Sequence, residues 1–240
     1  MVGRDWPCMS VPDPSSIFVV VPAYNEASAL VATVAPIIEA GYSVAVVDDG
    51  STDSTRQTLE AIDGVHKLFH VVNLGQGAAI QTGMQYAREN GAAIVVHFDA
   101  DGQHDQQQIG ALVAPILEGR ADVVFGSRFL RASDLKEVPA AKRILLRFGR
   151  VVSGILTGVW LSDTHNGFRA LSAAAVDVIC LHENGYAHAT EILDLVRRAK
   201  LRYVEVPTTI RYTSYSRAKG QRMGNAFNIL VDALLRKLFL

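Results

Sequence analysis

Cysteine is nearly absent from this chain of 240 residues, which contains only Cys8 and Cys180. Two isolated cysteines form neither a disulfide framework nor a cysteine metal cluster, and they indicate a reducing compartment. No apolar run reaches the roughly 18 residues of a membrane-spanning helix, and residues 1–16 lack the apolar core of a signal peptide. The sequence therefore predicts a cytoplasmic protein that is soluble or peripheral at the inner face of the membrane.

Excess charge of one sign is also lacking. The chain has 23 lysines and arginines against 24 aspartates and glutamates, for a formal net charge of −1. Because no overall basic field is available to attract phosphate backbones, we expect no nucleic-acid partner. A content of 49% apolar and 20% charged residues is typical of a globular protein.

Strand, loop and helix patterns alternate through residues 17–125, which is typical of βαβ units in an α/β fold with a mostly parallel sheet. The predicted strands are 17–21, 44–47, 70–72, 94–98 and 122–125, and the predicted helices are 28–40, 54–62, 78–89 and a segment after Asp105. Continuous apolar strands indicate that helices cover both faces of this sheet.

The second half of the chain has a different pattern. A helical stretch at 140–159 carries Arg143, Arg147 and Arg150 on one face, and a polar loop at 163–170 follows. We predict an amphipathic helix at 190–200, with Glu191 near its start and off the apolar stripe. Strands at 203–207 and 208–213 precede a basic segment and a C-terminal amphipathic helix at 225–240. No linker separates a second domain, so we expect a flexible arm at 1–16, one domain at 17–221 and a terminal segment at 222–240.

Two carboxylates follow the strand that begins at residue 94. Asp99 and Asp101 can share a divalent cation, and the carbonyl of Gln103 can add a third oxygen. Mg²⁺ or Mn²⁺ prefers such ligands and leaves positions for phosphate oxygens. The ordinary alternative is a polar turn in which Asp105 caps the next helix. His104 is a weaker candidate ligand than Gln103, and we expect His97, inside the apolar strand, to be a packed histidine.

Other strand ends favour the metal interpretation. In parallel sheets, ligands bind beyond the carboxyl ends of the strands. Those ends here carry a group of mostly acidic residues, namely Tyr24, Glu26, Asp48, Asp49, Asp99 and Asp101. Several acids at one edge repel each other unless a cation lies among them.

Nine pieces of the sequence, taken in order, resemble the family 2 glycosyltransferases. They lie at 21–26, 47–53, 73–77, 99–104, 126–128, 167–169, 191, 205–207 and 216–219. The similarity is greatest to the branch that transfers mannose or glucose to dolichyl or polyprenyl phosphate, and it covers nearly the whole chain. It implies the GT-A fold, a nucleotide-diphosphate sugar donor, Mg²⁺ or Mn²⁺, and inversion at the anomeric carbon.

The resemblance also implies roles for individual residues. The nucleoside pocket would be formed by Pro22, Tyr24, Glu26, Val47 and Asp49, and the metal and diphosphate site by Asp99, Asp101 and Gln103. Further donor contacts would come from Gln76, Ala100, Arg169, Arg211, Arg217 and Lys219. Related enzymes tend to have an arginine where this chain has Thr213, so Arg211 or Arg217 would have to replace it.

The catalytic residues would be Asp101, Glu191 and Arg128, of which Glu191 and Arg128 match family positions that line the donor and acceptor side. A cation at Asp101 would stabilise the leaving diphosphate, and Arg217 with Lys219 could close over the same phosphates. Glu191 could act as a base for a hydroxyl acceptor. A lipid phosphate needs no base, and Glu191 would then orient a neighbour or interact with the helix dipole.

These observations predict hexose transfer from a UDP- or GDP-sugar to a polyprenyl or dolichyl phosphate. One alternative acceptor is a sugar hydroxyl of a glycan or surface polysaccharide. A second alternative is a non-catalytic subunit that binds a nucleotide sugar, and a nucleotidyltransferase is a third. For a lipid acceptor, the stretches 140–159 and 225–240 could lie on a bilayer, or a small membrane protein could recruit the chain.

Overall fold

A single mixed sheet organises the computed structural model, which describes residues 13–130, 154, 158–164 and 166–210. The strands are β1 (Ile17–Ala23), β2 (Ser43–Asp48), β3 (His66–Phe69), β4 (Ile94–His97), β5 (Val123–Ser127), β6 (Arg169–Ser172) and β7 (Tyr203–Pro207). The helices are α1 (Leu30–Glu39), α2 (Thr55–Glu60), α3 (Gln76–Glu89), α4 (Ile109–Leu117), α5 (Ala173–Val176) and α6 (His188–Arg198), with 3₁₀ turns at Pro14–Ser16 and Gln106–Gln108.

The strand order is β3-β2-β1-β4-β6-β5-β7. All neighbouring pairs are parallel except those of β6, which runs antiparallel to β4 and to β5. The predicted α/β class with a mostly parallel sheet is therefore confirmed. The prediction that 163–170 is a loop is wrong at its end, because Arg169 and Ala170 pair with strands on both sides.

Both faces of the sheet are covered, as the continuous apolar strands predict. Alternate residues of β1 enter two separate cores, with Val19 and Val21 on one face and Phe18 and Val20 on the other. Helices α1, α2 and α4 cover the first face, and α3, α5 and α6 cover the second. This double coverage fixes the register, since a shift of one residue would exchange the two faces.

The predicted third strand is wrong. The β-branched pair Val71 and Val72 suggests a strand at 70–72, but the chain pairs four residues earlier, with Phe69 beside Asp48. Val71 is 97% exposed, so its side chain contributes almost nothing to the core. The chain leaves the sheet at His70 because the following loop folds back over the end of β2.

Several predictions fall partly outside the described residues. Residues 208–210 form no strand, and 211–213 are not described. The predicted helix at 225–240 lies outside the described residues, and of the predicted helix at 140–159 only residues 154, 158 and 159 are described. Within the predicted N-terminal arm, Ser43 Oγ donates a hydrogen bond of 2.7 Å to the Ser15 carbonyl. Among the described helices, none combines the length and apolarity needed to span a membrane.

Candidate active site

The carboxyl ends of β1, β2 and β4 meet at one edge of the sheet. Ala23 lies beside Asp48 where β1 and β2 both end, and β4 ends at His97 beside Val20, three residues before the end of β1. Because β6 is antiparallel, its first residue reaches the same edge, and Arg169 pairs with both His97 and Phe125. Acidic and basic side chains from distant parts of the sequence are thereby brought together.

Asp99 is held from three sides. Gln76 Nε2 donates a hydrogen bond of 3.0 Å to its Oδ1, and His104 Nε2 lies 3.2 Å from its Oδ2. Gly167 packs so closely that an added Cβ would lie 2.5 Å from Oδ2. The ring of His104 is itself fixed, since it stacks on Phe168 with centroids 4.9 Å apart. The Asp99 carboxylate is therefore oriented by the protein before any ligand binds.

The two carboxyls of the acidic pair have opposite pKa shifts. Burial opposes ionisation of Asp99, but hydrogen bonding to His104 and the charges of His104 and Arg169 hold its pKa below the ordinary value. For Asp101, burial and then the negative charge of Asp99 raise the pKa above the ordinary value. A cation between the two groups would relieve this repulsion.

The loop after Asp99 is shaped by local hydrogen bonds. The backbone N–H of Gln103 donates to Asp101 Oδ1 at 3.0 Å, and Gly102 has the left-handed φ of 71° that permits this turn. Thr33 Oγ1 donates to the buried Ala100 carbonyl at 3.1 Å and ties the loop to α1. Asp105 accepts from the N–H of Gln107 and caps the 3₁₀ turn Gln106–Gln108 that leads into α4, so its predicted capping role is confirmed for that turn.

The donor set fits a hard divalent cation that is shared with a ligand. Within the described residues, no cluster of three or more His, Cys, Asp or Glu side chains could hold a metal unaided. Asp99 and Asp101 offer carboxylate oxygens, and the half-buried Gln103 lies next to them. Mg²⁺ commonly binds through one or two carboxylates and completes its coordination with water and substrate phosphates.

The predicted nucleoside residues lie along β1 and β2. Pro22 pairs with the buried Val47 across the two strands. Tyr24 is 41% exposed, which leaves its ring accessible to a ligand. The Glu26 N–H donates to Thr55 Oγ1 at 2.8 Å, which fixes the backbone at this point. These residues line one side of the edge, and their contact with a nucleoside stays a prediction.

Asp49 is buried, and its carboxylate takes part in several hydrogen bonds within the protein. Its Oδ1 accepts from the Leu74 N–H at 2.9 Å, and its Oδ2 accepts from the Gly75 N–H at 2.7 Å. His70 Nδ1 lies 2.7 Å from Oδ1. The carboxylate therefore fixes the loop that leads into α3, which places Gln76 over Asp99. A direct contact of Asp49 with the nucleoside stays a prediction.

Arg128 is paired with Asp163 on the opposite side of the edge. Its Nε and Nη2 donate to the two carboxylate oxygens at 2.6 and 2.7 Å. Asp163 is held in turn by Glu205, whose Oε1 accepts from the N–H groups of Ser162 and Asp163. Arg128 remains partly exposed, with 28% of its side-chain surface accessible.

A buried basic group lies behind the acidic pair. Arg169 is 2% exposed, and burial lowers the pKa of its guanidinium to about 10. His97 is packed as predicted, with no hydrogen-bond partner for either ring nitrogen among the described residues. Burial and then the charge of Arg169 lower the pKa of His97 to about 3 and that of His188 to about 4. Both histidines are therefore neutral at pH 7, and Arg169 supplies the positive charge.

Glu191 lies in the first turn of α6, where the sequence predicts it. Its carboxylate accepts from the N–H of His182 at 2.9 and 3.1 Å and from the N–H of Glu183 at 2.9 Å. Both oxygens are thus occupied by backbone donors. The remaining predicted donor residues, Arg211, Arg217 and Lys219, lie outside the described residues.

The fold with these strand-end acids is that of the GT-A glycosyltransferases. Glucosyl-3-phosphoglycerate synthase from Mycobacterium tuberculosis, crystallised with Mn²⁺ and UDP, superposes with a TM-score of 0.65 over 99% of this chain and 86% of that chain. The two sequences are 21% identical, so this likeness concerns the fold alone.

Sequence similarity then defines the family. The family model Glycosyl transferase family 2 matches residues 18–180, and the chain belongs to this family of glycosyltransferases. The UDP-N-acetylglucosamine–dolichyl-phosphate N-acetylglucosaminyltransferase of Methanococcus voltae is 31% identical over 92% of this chain and 96% of that protein. The undecaprenyl-phosphate mannosyltransferase of Micrococcus luteus is 30% identical over 88% of this chain and 90% of that protein. The resemblance to the polyprenyl-phosphate branch is thereby confirmed, and a non-catalytic subunit is not supported.

Several residues that shape the site are not marked by any pattern in the sequence. Asp163 pairs with Arg128 across 35 positions, and the ring of His70 links Asp49 to Thr82 Oγ1. Asn166 accepts from Phe168 N–H and holds Arg169 through its carbonyl. No local pattern marks the first two sets of contacts, because their partners lie in distant segments of the chain, whereas Asn166 contacts residues only two and three positions later.

Proposed function

We propose that this glycosyltransferase moves one hexose from a UDP- or GDP-sugar to a polyprenyl or dolichyl phosphate, with inversion and with a divalent cation. The observation that carries the proposal is the oriented acidic pair, Asp99 and Asp101, at the carboxyl edge of a family 2 sheet. The acceptor class is supported by relatives named for dolichyl and undecaprenyl phosphates, which this chain matches over about nine-tenths of its length.

In this proposal, an oxygen of the lipid phosphate attacks the anomeric carbon while the bond from that carbon to the donor β-phosphate oxygen breaks. The products are a lipid phosphosugar and a nucleoside diphosphate. The acceptor oxygen is already anionic, so no proton has to be removed. Mg²⁺ or Mn²⁺, held by Asp99 and Asp101 with Gln103 beside them, would stabilise negative charge on the leaving diphosphate.

The protein's own residues would bind and orient the reactants. Pro22, Tyr24 and Val47 would form the nucleoside side of the pocket. The Arg128–Asp163 pair would lie on the acceptor side, and its guanidinium, which is partly exposed, would bind a phosphate there. Arg211, Arg217 and Lys219 would add positive charge around the phosphates.

The bonding of Glu191 supports a phosphate acceptor over a hydroxyl acceptor. A hydroxyl needs a base with a free, accessible oxygen near the anomeric carbon. The Glu191 carboxylate is 17% exposed, and both of its oxygens accept backbone hydrogen bonds. This arrangement is better suited to holding a loop than to removing a proton.

Binding and transfer can be tested separately. Calorimetric titration with UDP and GDP, each with and without Mn²⁺, should detect metal-dependent binding of one nucleotide that is lost in Asp101→Ala. Glu118→Ala, at an exposed ion pair with Arg120, is the control. Transfer of labelled hexose to undecaprenyl phosphate should then give an organic-soluble product with inverted configuration by NMR. Transfer to glycan hydroxyls in place of the lipid would overturn the proposed acceptor.

A membrane-bound acceptor requires the chain to reach a bilayer. We propose that it does so as a peripheral protein at the inner face, either directly or through a small membrane-protein partner. Flotation of the purified chain with vesicles that contain undecaprenyl phosphate tests direct contact. Failure to float would leave recruitment by a partner as the remaining route.

A further inference from the structure

The geometry points to Glu191 as a positioning residue for the metal–nucleotide site, acting through the backbone of residues 182–184 and the side chain of Gln76. This inference rests on the proposed function, because the site that Glu191 positions is the proposed one. It gives Glu191 a role that differs from that of a base. The contact that carries it is the backbone packing between segment 182–184 and the first turn of α3.

The first link joins α6 to the segment. Glu191 Oε1 accepts from the His182 N–H at 2.9 Å, and Oε2 accepts from the Glu183 N–H at 2.9 Å. His182 Nδ1 lies a further 3.4 Å from Oε1. A carboxylate that accepts backbone N–H donors on both oxygens fixes their position strongly, since hydrogen bonds to a charged group are about twice as strong as neutral ones.

The second link joins the segment to α3. The N–H of Gly77 donates to the Asn184 carbonyl at 2.7 Å. An added Cβ at Gly77 would lie 2.0 Å from the Glu183 carbonyl oxygen, and one at Gly75 would lie 2.3 Å from that of Asn184. Backbone is therefore packed directly on backbone at the start of α3. A displacement of the segment would be transmitted to α3 without a flexible side chain to absorb it.

The third link joins α3 to the acidic pair. Gln76, the first residue of α3, lies between the two glycines of the backbone contact. Its Nε2 donates to Asp99 Oδ1 at 3.0 Å. Since Asp99 is also bounded by His104 and Gly167, a shift of Gln76 removes one of three constraints on the carboxylate. Glu191 is thus connected to Asp99 in three steps. Its carboxylate accepts hydrogen bonds from segment 182–184, this segment contacts the backbone of α3, and Gln76 of α3 donates a hydrogen bond to Asp99.

The test is a double-mutant cycle on nucleotide binding. Calorimetry with Mn²⁺ and the nucleotide that wild type binds is performed on Glu191→Gln, Gln76→Ala and the double variant. Each single variant should weaken metal-dependent binding about 10-fold, as expected when a hydrogen bond to a charged group is lost. The double variant should be no weaker than the weaker-binding single variant, because both changes break one chain of contacts.

Controls separate positioning from misfolding. Asp194→Asn lies on the same helix, and its carboxylate pairs with Arg198 on the surface. It should bind as wild type does. Amide exchange at Gly77 should accelerate in Glu191→Gln, while thermal unfolding remains cooperative. A Gly77 amide that exchanges at the wild-type rate in Glu191→Gln would contradict the second link.

The outcomes distinguish the inference from the function on which it rests. Wild type that binds neither UDP nor GDP overturns the proposed function and the inference with it. Wild type that binds, together with a Glu191→Gln variant that binds equally well and has lost turnover, overturns the inference alone and restores the base. Additive losses in the cycle also overturn it, since Glu191 and Gln76 would then act independently.

Discussion

Arg128 and Asp163 form a two-point ion pair in which Nε and Nη2 lie 2.6 and 2.7 Å from the two carboxylate oxygens. The Asp163 side chain is 2% exposed, whereas that of Arg128 is 28% exposed. The buried partner therefore sets the direction of a guanidinium that stays partly exposed. Glu205 fixes the backbone of Asp163 and extends this support to β7.

Asp163→Asn should reduce turnover by about 10- to 100-fold, because a misplaced substrate contact can cost that much. Loss of one charged hydrogen bond should also reduce the free energy of unfolding by about 1–3 kcal/mol. Steady-state kinetics and urea unfolding measure the two effects. The matched control is Asp177→Asn, whose pair with Arg88 is about half exposed and should contribute no more than about 1 kcal/mol. Unchanged turnover in folded Asp163→Asn would contradict a role for the pair in catalysis.

Two helical glycines give opposite predictions for one substitution. An added Cβ at Gly83 of α3 would lie 2.2 Å from Val20 Cγ1, whereas at Gly110 of α4 it would meet nothing within 4 Å. Gly83→Ala should reduce the free energy of unfolding by about 1–3 kcal/mol through overpacking. Gly110→Ala should raise it by up to about 1 kcal/mol, because alanine favours the helix. Urea unfolding of both variants measures the difference, and equal values would contradict the close contact between α3 and β1.

The acidic edge can be predicted from sequence because each part of it is local. Carboxylates stand at or just after the ends of the buried strands β2 and β4. Parallel pairing brings such strand ends to the same edge of the sheet. The parts that cannot be predicted depend on contacts between distant segments. Arg169 begins a strand that is buried between two neighbours, although a segment that opens with a charged residue predicts a loop.

The misplaced third strand shows a related limit. The apolar content of Val71 and Val72 favours a strand, but the pairing edge of β2 selects 66–69. The His70 N–H still donates to the Asp48 carbonyl at 2.9 Å, after which the loop turns toward Asp49. The end of the strand is therefore set by a buried carboxylate in another loop, which no property of residues 66–72 reveals.

His188 should make stability depend on pH. Burial, assisted by the charge of Arg169, lowers its pKa to about 4 in the folded protein from 6.5. Between these values the unfolded chain binds a proton that the folded protein does not, so stability falls as pH falls through this window. From pH 7 to pH 5, His188 alone should reduce the free energy of unfolding by about 2 kcal/mol.

Urea unfolding at both pH values tests this linkage. In His188→Gln, the difference in unfolding free energy between pH 7 and pH 5 should shrink by about 2 kcal/mol. A His188→Gln variant with the wild-type pH difference would show that this imidazole is not held neutral by the fold.

Gly167 should be as important to the acidic pair as the carboxylates themselves. An added Cβ there would lie 2.5 Å from Asp99 Oδ2, so Gly167→Ala must displace a carboxylate that Gln76 and His104 now orient. We expect metal-dependent nucleotide binding to weaken by about 10- to 100-fold, since small displacements at such a site have large effects. Calorimetry in the presence of Mn²⁺ measures the affinity for the nucleotide, and Gly110→Ala is the control. If folded Gly167→Ala binds as tightly as wild type, the orientation of Asp99 is not what the site depends on, and Asp101 alone would carry the cation.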